Sequence, residues 1–151
     1  MPEDGYQKYE RACKRIKEDN AKLLDDFDRW LSGKGVSTKT IRKHKDNVDF
    51  YINTFLLYED AIPAKDGASR ISMFLGYWFI RKAMWASPSA IRENAASLKK
   101  FCTFMRQQGH IDTDDLQELK ETIKEEMPEW VGTVERYDDP DIDDPEEIWG
   151  L

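Results

Sequence analysis

The sequence predicts an all-α protein, and three observations lead to this prediction. Apolar residues recur every three to four positions along most of the chain, which is the spacing of amphipathic helices. The run Ile71 to Ile80 has apolar side chains all round a helix and leaves no water-facing stripe, and its ten residues are too few for a bilayer, which needs about 20. Serine residues that can cap the start of a helix and glycine residues that can end one lie between the apolar segments. We therefore expect a buried central helix surrounded by amphipathic ones; a buried strand at 71–80 is the weaker alternative.

Composition is consistent with one folded domain. The chain has 151 residues, 40% of them hydrophobic, with five Trp, seven Phe and six Tyr, enough for a substantial core. Cys13 and Cys102 fall on apolar helical positions, so we expect reduced core thiols and neither a disulfide nor a metal site. No apolar signal region or membrane-spanning run occurs in the sequence, which predicts a cytoplasmic protein with no membrane partner.

The first predicted helix covers residues 6–32, either as one helix or as two joined near Asn20. Its apolar positions are Tyr9, Cys13, Ile16, Leu23, Phe27, Trp30 and Leu31. Gly33 and Gly35 end it. Its first half is highly charged with only a thin apolar seam, so we expect that half to pack loosely or to meet a partner helix.

The second predicted helix begins after Ser37, whose hydroxyl can accept a hydrogen bond from a free backbone amide of the first turn. Its inward face consists of Ile41, Val48, Ile52 and Phe55, with His44 and Tyr51 beside them. Steps of 100° per residue place Lys39, Arg42 and Lys43 on the opposite face. Residues 34–45 contain five basic side chains and no acid.

The fourth predicted helix begins at Ser87, with Pro88 at its first position, and ends near residue 108 before Gly109. Its inward side consists of Ile91, Ala95, Leu98, Cys102 and Met105, and towards the other side lie Ser89, Arg92, Lys99, Lys100 and Thr103. Residues 81–110 contain six basic side chains and one acid.

A shorter fifth helix is predicted after the fourth. Thr113 caps it, and it ends near Glu126 because Pro128 interrupts helical hydrogen bonding. We expect little rigid structure from residue 129 to residue 144. Trp30, Trp78 and Trp85 are expected in the core. The acidic stretch 129–151 contains two further tryptophans, Trp130 and Trp149, which are candidate anchors for a partner.

Charge is unevenly distributed along the chain. The net charge is −7, but residues 111–151 hold sixteen acids against three bases, a net −13. Residues 1–110 hold twenty bases against fourteen acids, a net +6. This asymmetry is typical of a basic body with an acidic tail, although a tail that serves only solubility gives the same pattern.

Helix starts and core positions between residues 21 and 126 form a family-like pattern. They are Phe27, Trp30, Leu31, Gly35, Ser37, Thr40 and Ile41, then Phe74-Leu75, then Ser87, Ser89 and Ile91, then the run Leu98 to Met105, then Gly109 and Ile111. The pattern resembles the N-terminal core-binding domain of phage integrases and other tyrosine recombinases. The resemblance implies a SAM-like bundle of four to five helices around the buried central helix.

The same resemblance divides the chain into three parts. Residues 1–20 form a charged helical extension, residues 21–127 form the core-binding SAM-like domain, and residues 128–151 form an acidic tail. The tail is similar to an interdomain linker, because Pro145-Glu146-Glu147-Ile148 looks like the helix start that joins the two domains of a recombinase. The chain is then either part of a recombinase or a stand-alone relic of one.

The function implied by the resemblance is DNA binding. In the family this domain clamps duplex DNA with its second and fourth helices, whose free amides and nearby bases suit phosphate. The corresponding residues here are Ser37, Thr38, Lys39, Thr40, Arg42, Lys43, Ser87, Ser89, Arg92, Lys99 and Lys100. These helices are also the ones that the count of basic residues singles out.

Catalysis is not expected of this chain. In the family a separate domain cuts and rejoins strands with a Tyr nucleophile, two Arg, a Lys and a His-x-x-Arg motif. Here His44 and His110 are followed three residues later by Asn47 and Thr113. We therefore expect no enzyme activity, cofactor or metal, and as partners duplex DNA together with a catalytic recombinase domain or other protomers.

Two alternatives remain open from the sequence. The bundle could be a protein–protein interaction module that keeps the integrase-like fold but no longer binds DNA. The acidic tail could also fold back over the basic faces and compete with DNA for them.

Overall fold

The computed structural model describes residues 4–137, and within them the chain is an all-helical bundle, as predicted. The elements in chain order are α1 (Gly5–Gly33), α2 (Thr38–Asp49), a π-helical continuation of α2 (Phe50–Phe55), two short 3-10 turns (Ala64–Asp66 and Ala68–Arg70), the central helix α3, α4 (Pro88–Gln107) and α5 (Thr113–Tyr137). Helix α3 consists of an α-helical turn (Ile71–Met73), a π-helical segment (Phe74–Trp78) and a final α-helical turn (Phe79–Lys82).

Helices α1 and α2 form an antiparallel hairpin. Asp28 near the end of α1 pairs with Lys45 at 2.8 Å, and Asn20 in the middle of α1 bonds to Asn53 at 2.8 Å. Helix α1 runs without a break from Gly5 to Gly33, so the predicted division between residues 20 and 21 falls inside it. No described residue of α1 before Asn20 is buried, in agreement with the thin apolar seam of its first half.

The turns after α1 and α4 need glycine. Gly35 and Gly109 have φ values of 77° and 80°, in the left-handed region that side chains disfavour. At the other ends, Ser37 and Ser87 each accept a hydrogen bond from a backbone amide three residues on, at 3.3 and 3.0 Å. Both predicted serine caps are confirmed.

The central helix is less completely buried than predicted. Phe74, Leu75 and Phe79 are fully enclosed, but Met73 is 56% exposed and Tyr77 is 41% exposed. The prediction of a helix with no water-facing side was therefore wrong, because the surrounding helices cover only part of its circumference. An apolar side chain in the sequence does not by itself reveal whether a neighbour reaches it.

Aromatic rings join the π-helical parts of α2 and α3. The ring of Phe74 lies 4.8 Å from that of Tyr51 and 5.0 Å from that of Phe55, and Trp78 lies 5.3 Å from Phe55. Such contacts stabilise a core beyond the area they bury. The two π segments therefore face each other across an aromatic cluster.

The start of α5 differs from the prediction in its capping residue. Asp112 Oδ1 accepts from the amide of Asp115 at 2.8 Å, and Asp115 Oδ2 accepts from the amide of Asp112 at 3.3 Å. The reciprocal pair is an aspartate version of a capping box. Thr113 is therefore the first helical residue and not the cap.

The end of α5 also differs from the prediction. The helix passes through Pro128 and continues to Tyr137, and Trp130 is 2% exposed. Proline inside a helix costs about 3 kcal/mol, but burying one large apolar side chain contributes about 1.5–3 kcal/mol, and Val131 and Val134 are buried as well. The predictions of an end near residue 126, of little structure after it and of Trp130 as a partner anchor were therefore wrong for this stretch.

The remaining expectations have mixed outcomes. Trp85, expected in the core, is 59% exposed. Cys13 and Cys102 are unbridged thiols, and burial raises the pKa of Cys102 to about 12. The predicted boundary after residue 127 falls inside α5, whereas Trp149 and the stretch 145–148 lie outside the described residues. No helix between residues 4 and 137 combines the length and apolarity that a bilayer crossing requires.

Candidate nucleic-acid interface

Helix α4 lies across α2, and polar side chains join the two helices where they meet. Lys43 pairs with Glu93 at 2.7 Å. His44 Nδ1 lies 2.8 Å from Ser97 Oγ, and Asn47 Nδ2 donates to the same oxygen at 3.0 Å. Ser97 is 1% exposed, so its hydroxyl ties the helices together and is not presented to solvent as a nucleophile.

The electrostatics of His44 show which charges lie nearby. Its pKa is lowered first by burial and then by the positive charges of Lys100 and Lys43. Ser97 Oγ accepts a hydrogen bond from Asn47 Nδ2 and also lies within hydrogen-bond distance of His44 Nδ1. A lysine from α2 and a lysine from α4 therefore both act electrostatically on the same histidine.

The predicted residues of α2 are all on the surface, but they do not form one patch. Exposed side chains are those of Ser37, Thr38, Lys39, Thr40, Arg42 and Lys43. The hydroxyl of Ser37 is used as the helix cap. Arg42 and Thr38 line a cavity of about 320 Å³ together with Asp28 and Asp46, on the side of α2 that faces α1. Lys45, which pairs with Asp28, lines the same cavity.

The predicted residues of α4 are also at the surface, except for its cap. Ser89, Arg92, Lys99 and Lys100 are exposed, whereas Ser87 is half-buried and bonded to the amide of Ala90. Spacing of seven residues places Arg92 and Lys99 on one stripe of the helix, and Lys100 on the next stripe with Glu93, towards α2.

Few of these charges are neutralised by neighbours. Lys43 is paired with Glu93, and Lys45 with Asp28, whose carboxyl pKa is lowered chiefly by that hydrogen bond. Within residues 4–137 the other predicted cations make no ion pair; they are Lys39, Arg42, Arg92, Lys99 and Lys100. We define the basic surface as Lys39, Lys43, Arg92, Lys99 and Lys100. It is a set of exposed cations from two helices whose only ion-paired member is Lys43.

The polar seam between the helices was missed by sequence reasoning, which placed His44 beside the inward face and did not consider its partners. One feature could have indicated it: Ser97 stands between the buried residues Ala95 and Leu98, on the apolar side of α4. A polar residue on an inward face requires a hydrogen-bond partner. The partner itself could not be identified, because it lies on another helix.

The chemistry of this surface is that of anion binding. Exposed lysine and arginine side chains can donate to phosphate oxygens, and so can the first-turn amides of Thr38, Lys39 and Ser89, whereas those of Thr40 and Ala90 bond to the serine caps. No group of His, Cys, Asp and Glu side chains in the described part of the chain could hold a metal ion.

Comparisons with protein-family models, curated proteins and solved structures find no match to this chain.

Proposed function

We propose that this chain is a non-catalytic DNA-binding module of the integrase type, and that its basic surface contacts the phosphate backbone of duplex DNA. The observation that supports this most is that the neighbouring helices α2 and α4 both carry exposed cations, of which Lys43 alone is ion-paired among the described members of the basic surface. Residues fifty or more positions apart in sequence thereby contribute positive charge to the same region. Phosphate contacts by Lys and Arg supply most of the affinity of sequence-independent DNA binding.

The resemblance to core-binding domains points to the same two helices. It implies contacts at the helix starts, and to these we add the region where α4 packs against α2, because Lys43 and Lys100 are exposed there. Lys39 lies one helical turn before Lys43, so it extends the basic surface back towards the start of α2. Arg42 lies apart from the basic surface in this proposal, because it lines the cavity that also contains Asp28, Lys45 and Asp46.

Salt dependence of DNA binding tests the proposal. A fluorescent duplex is titrated with the full chain at several salt concentrations, and affinity is followed by anisotropy. Affinity should fall steeply with salt, since each neutralised phosphate releases a condensed counterion. The double variant Lys39→Glu, Lys100→Glu should weaken binding and reduce the slope of log affinity against log salt by about 2, one for each lost contact.

A matched control separates local contacts from total charge. Lys14→Glu, Lys17→Glu changes the net charge equally, and both side chains are exposed on the first half of α1. This control should retain nearly the wild-type slope. If it lowers the slope as much as the double variant at α2 and α4, or if the full chain does not bind duplex at low salt, the basic surface is not a DNA interface.

A protein–protein interaction module is the second candidate function. The loop between α3 and α4 presents Met84, which is 99% exposed, and Trp85, which is 59% exposed. Exposed Trp and Met side chains are enriched where proteins meet. A chain that fails to bind DNA but self-associates in sedimentation velocity, and becomes monomeric on Met84→Glu, would support this second function instead.

A further inference from the structure

The loop between α3 and α4 forms one wall of a cavity beside α2. The cavity has a volume of about 350 Å³. Its lining residues are Asp46, Asn47, Asp49, Phe50, Trp85 and Asn94. The first four belong to α2 and its π-helical continuation, Trp85 belongs to the loop and Asn94 to α4. We call this feature the Trp85 cavity.

Trp85 provides the aromatic wall of the cavity and is held in place by two other rings. Its ring lies 5.4 Å from that of Phe50 at an interplanar angle of 64°, and 6.1 Å from that of Phe79 at 84°. Trp85 is nevertheless 59% exposed, so much of its ring remains open to solvent. An exposed indole that is held in one orientation can stack on a planar group or bind a cation at little cost in side-chain freedom.

The charge of the Trp85 cavity is negative. Asp46 and Asp49 line it, and no lysine or arginine in the described part of the chain does so. Asp49 Oδ1 accepts a hydrogen bond from the neutral amide of Asn53 at 2.6 Å, and neither aspartate makes an ion pair within residues 4–137. The two carboxylates stand three residues apart on a helix, so they are neighbours and repel each other. A cation bound beside both would relieve this repulsion.

Basic residues of α2 compensate Asp46 more than Asp49. Lys45, next to Asp46 in sequence, pairs with Asp28 of α1. Arg42 and Asp46 both line the cavity on the side of α2 that faces α1, so Arg42 offsets part of the charge of Asp46. Asp49 does not line that second cavity. The negative charge available to a ligand of the Trp85 cavity is therefore centred on Asp49.

The two asparagines of the cavity use their amide nitrogens inside the protein. Asn47 Nδ2 donates to Ser97 Oγ at 3.0 Å, and Asn94 Nδ2 donates to the backbone carbonyl of Ala90 at 2.8 Å. The lining therefore combines carboxylate acceptors with an exposed indole, and it suits a flat cation with several N–H donors. The arginine guanidinium has these properties, because it is planar, always charged and able to stack on an aromatic ring.

We propose that the Trp85 cavity binds an arginine side chain of a partner protein. The guanidinium stacks on the indole of Trp85 and donates to the carboxylate of Asp49, with Asp46 beside it. Met84 precedes Trp85 and is 99% exposed, which gives the residues next to that arginine an apolar surface to cover. This inference does not rest on DNA binding, since the two carboxylates would repel phosphate, and it names the partner chemistry of the exposed loop.

Titration of the isotope-enriched full chain with short peptides tests the proposal. The probe is acetyl-Gly-Arg-Leu-Gly-amide, and backbone amide and indole resonances are followed by NMR. Saturable changes should appear at Trp85 and residues 46–50, while the resonances of Lys39 and Lys99 should stay in place. In the matched peptide, citrulline replaces arginine and keeps its shape without its charge. That peptide should bind about tenfold more weakly, because the charge-assisted hydrogen bonds and the cation–π contact are lost.

Three variants separate this site from total charge. Asp49→Asn should weaken binding of the arginine peptide by about tenfold, and Trp85→Ala by about three- to tenfold. Asp25→Asn makes the same charge change at an exposed position of α1 and should retain the wild-type affinity. Amide spectra of the free variants verify that the bundle is intact, and Asp49→Asn alone decides the matter if Trp85→Ala does not fold.

Four results would overturn the proposal. The first is a citrulline peptide that binds as tightly as the arginine peptide, and the second is equal weakening by Asp25→Asn and Asp49→Asn. The third is a lysine peptide, or tetramethylammonium ion, that binds at least as tightly as the arginine peptide, since the cavity would then accept any compact cation. The fourth is a set of changes at Trp85 that depends on the concentration of the chain alone, because a second copy would then occupy the cavity.

Discussion

Gly76 in the π-helical segment of α3 provides a sharp test of the packing between α3 and α5. A Cβ added at Gly76 would lie 2.9 Å from both Cδ1 and Nε1 of Trp130, which is closer than side chains in proteins tolerate. Because Trp130 is 2% exposed, its ring is confined and cannot move away freely. Gly132 in α5 is the matched control, since a Cβ there would approach only the guanidinium of the exposed Arg136, at 3.3 Å.

The two substitutions by alanine should therefore have different effects on stability. Alanine is favoured over glycine inside a helix by about 0.5–1 kcal/mol, so Gly132→Ala should stabilise the protein by about that amount. At Gly76 the same gain is opposed by overpacking, which costs about 1–3 kcal/mol. Gly76→Ala should thus range from neutral to about 2 kcal/mol destabilising, and the two variants should differ by about 1–3 kcal/mol.

Urea unfolding followed by circular dichroism measures this difference. The midpoint should shift down or stay unchanged for Gly76→Ala and shift up for Gly132→Ala, with the same dependence on urea concentration in both. Trp130→Phe replaces the indole with a smaller ring, so in a double-mutant cycle it should reduce the destabilisation caused by Gly76→Ala. If Gly76→Ala is as stable as Gly132→Ala or more so, the close contact between α3 and α5 is refuted.

Two further predictions concern buried polar groups. Asn20 donates to the backbone carbonyl of Ile52 at 3.2 Å. Asn20→Leu should leave that carbonyl without this donor and lower the free energy of unfolding in urea by about 1–3 kcal/mol. Lys17→Leu, on the exposed side of the same helix, should change it little. The pKa of His44 is lowered in the folded state, chiefly by burial, so the unfolded state binds more protons as pH falls through the usual histidine range. Wild type should therefore lose more stability than His44→Gln between about pH 7.5 and about pH 5.5; equal losses would contradict this.

Helix periodicity and capping were readable from the sequence because both are local. Apolar residues at steps of three to four predicted the helices, and Ser37 and Ser87 marked two starts that the structure confirms. Gly109 marked an end for the same reason, since only its backbone conformation matters. The free energies involved come from neighbours within four residues, so no knowledge of the fold is required.

Burial was readable only where one side of a helix was uniformly apolar. All five predicted inward residues of α4 are buried. Met73, Tyr77 and Trp85 are equally apolar in sequence but remain exposed, while Trp130 in an acidic stretch is buried. Whether an apolar side chain is covered depends on which helix reaches it, and that is a property of the whole bundle.

For the candidate site, the sequence by itself determined the charges and the helices that carry them. It could not determine that Lys43 pairs with Glu93, or that Lys100 lies near His44, because these residues are fifty or more positions apart. Only the packing of α4 across α2 creates those contacts. The continuation of α5 through Pro128 has the same origin, since burial of apolar side chains against α3 outweighs a local preference for ending the helix.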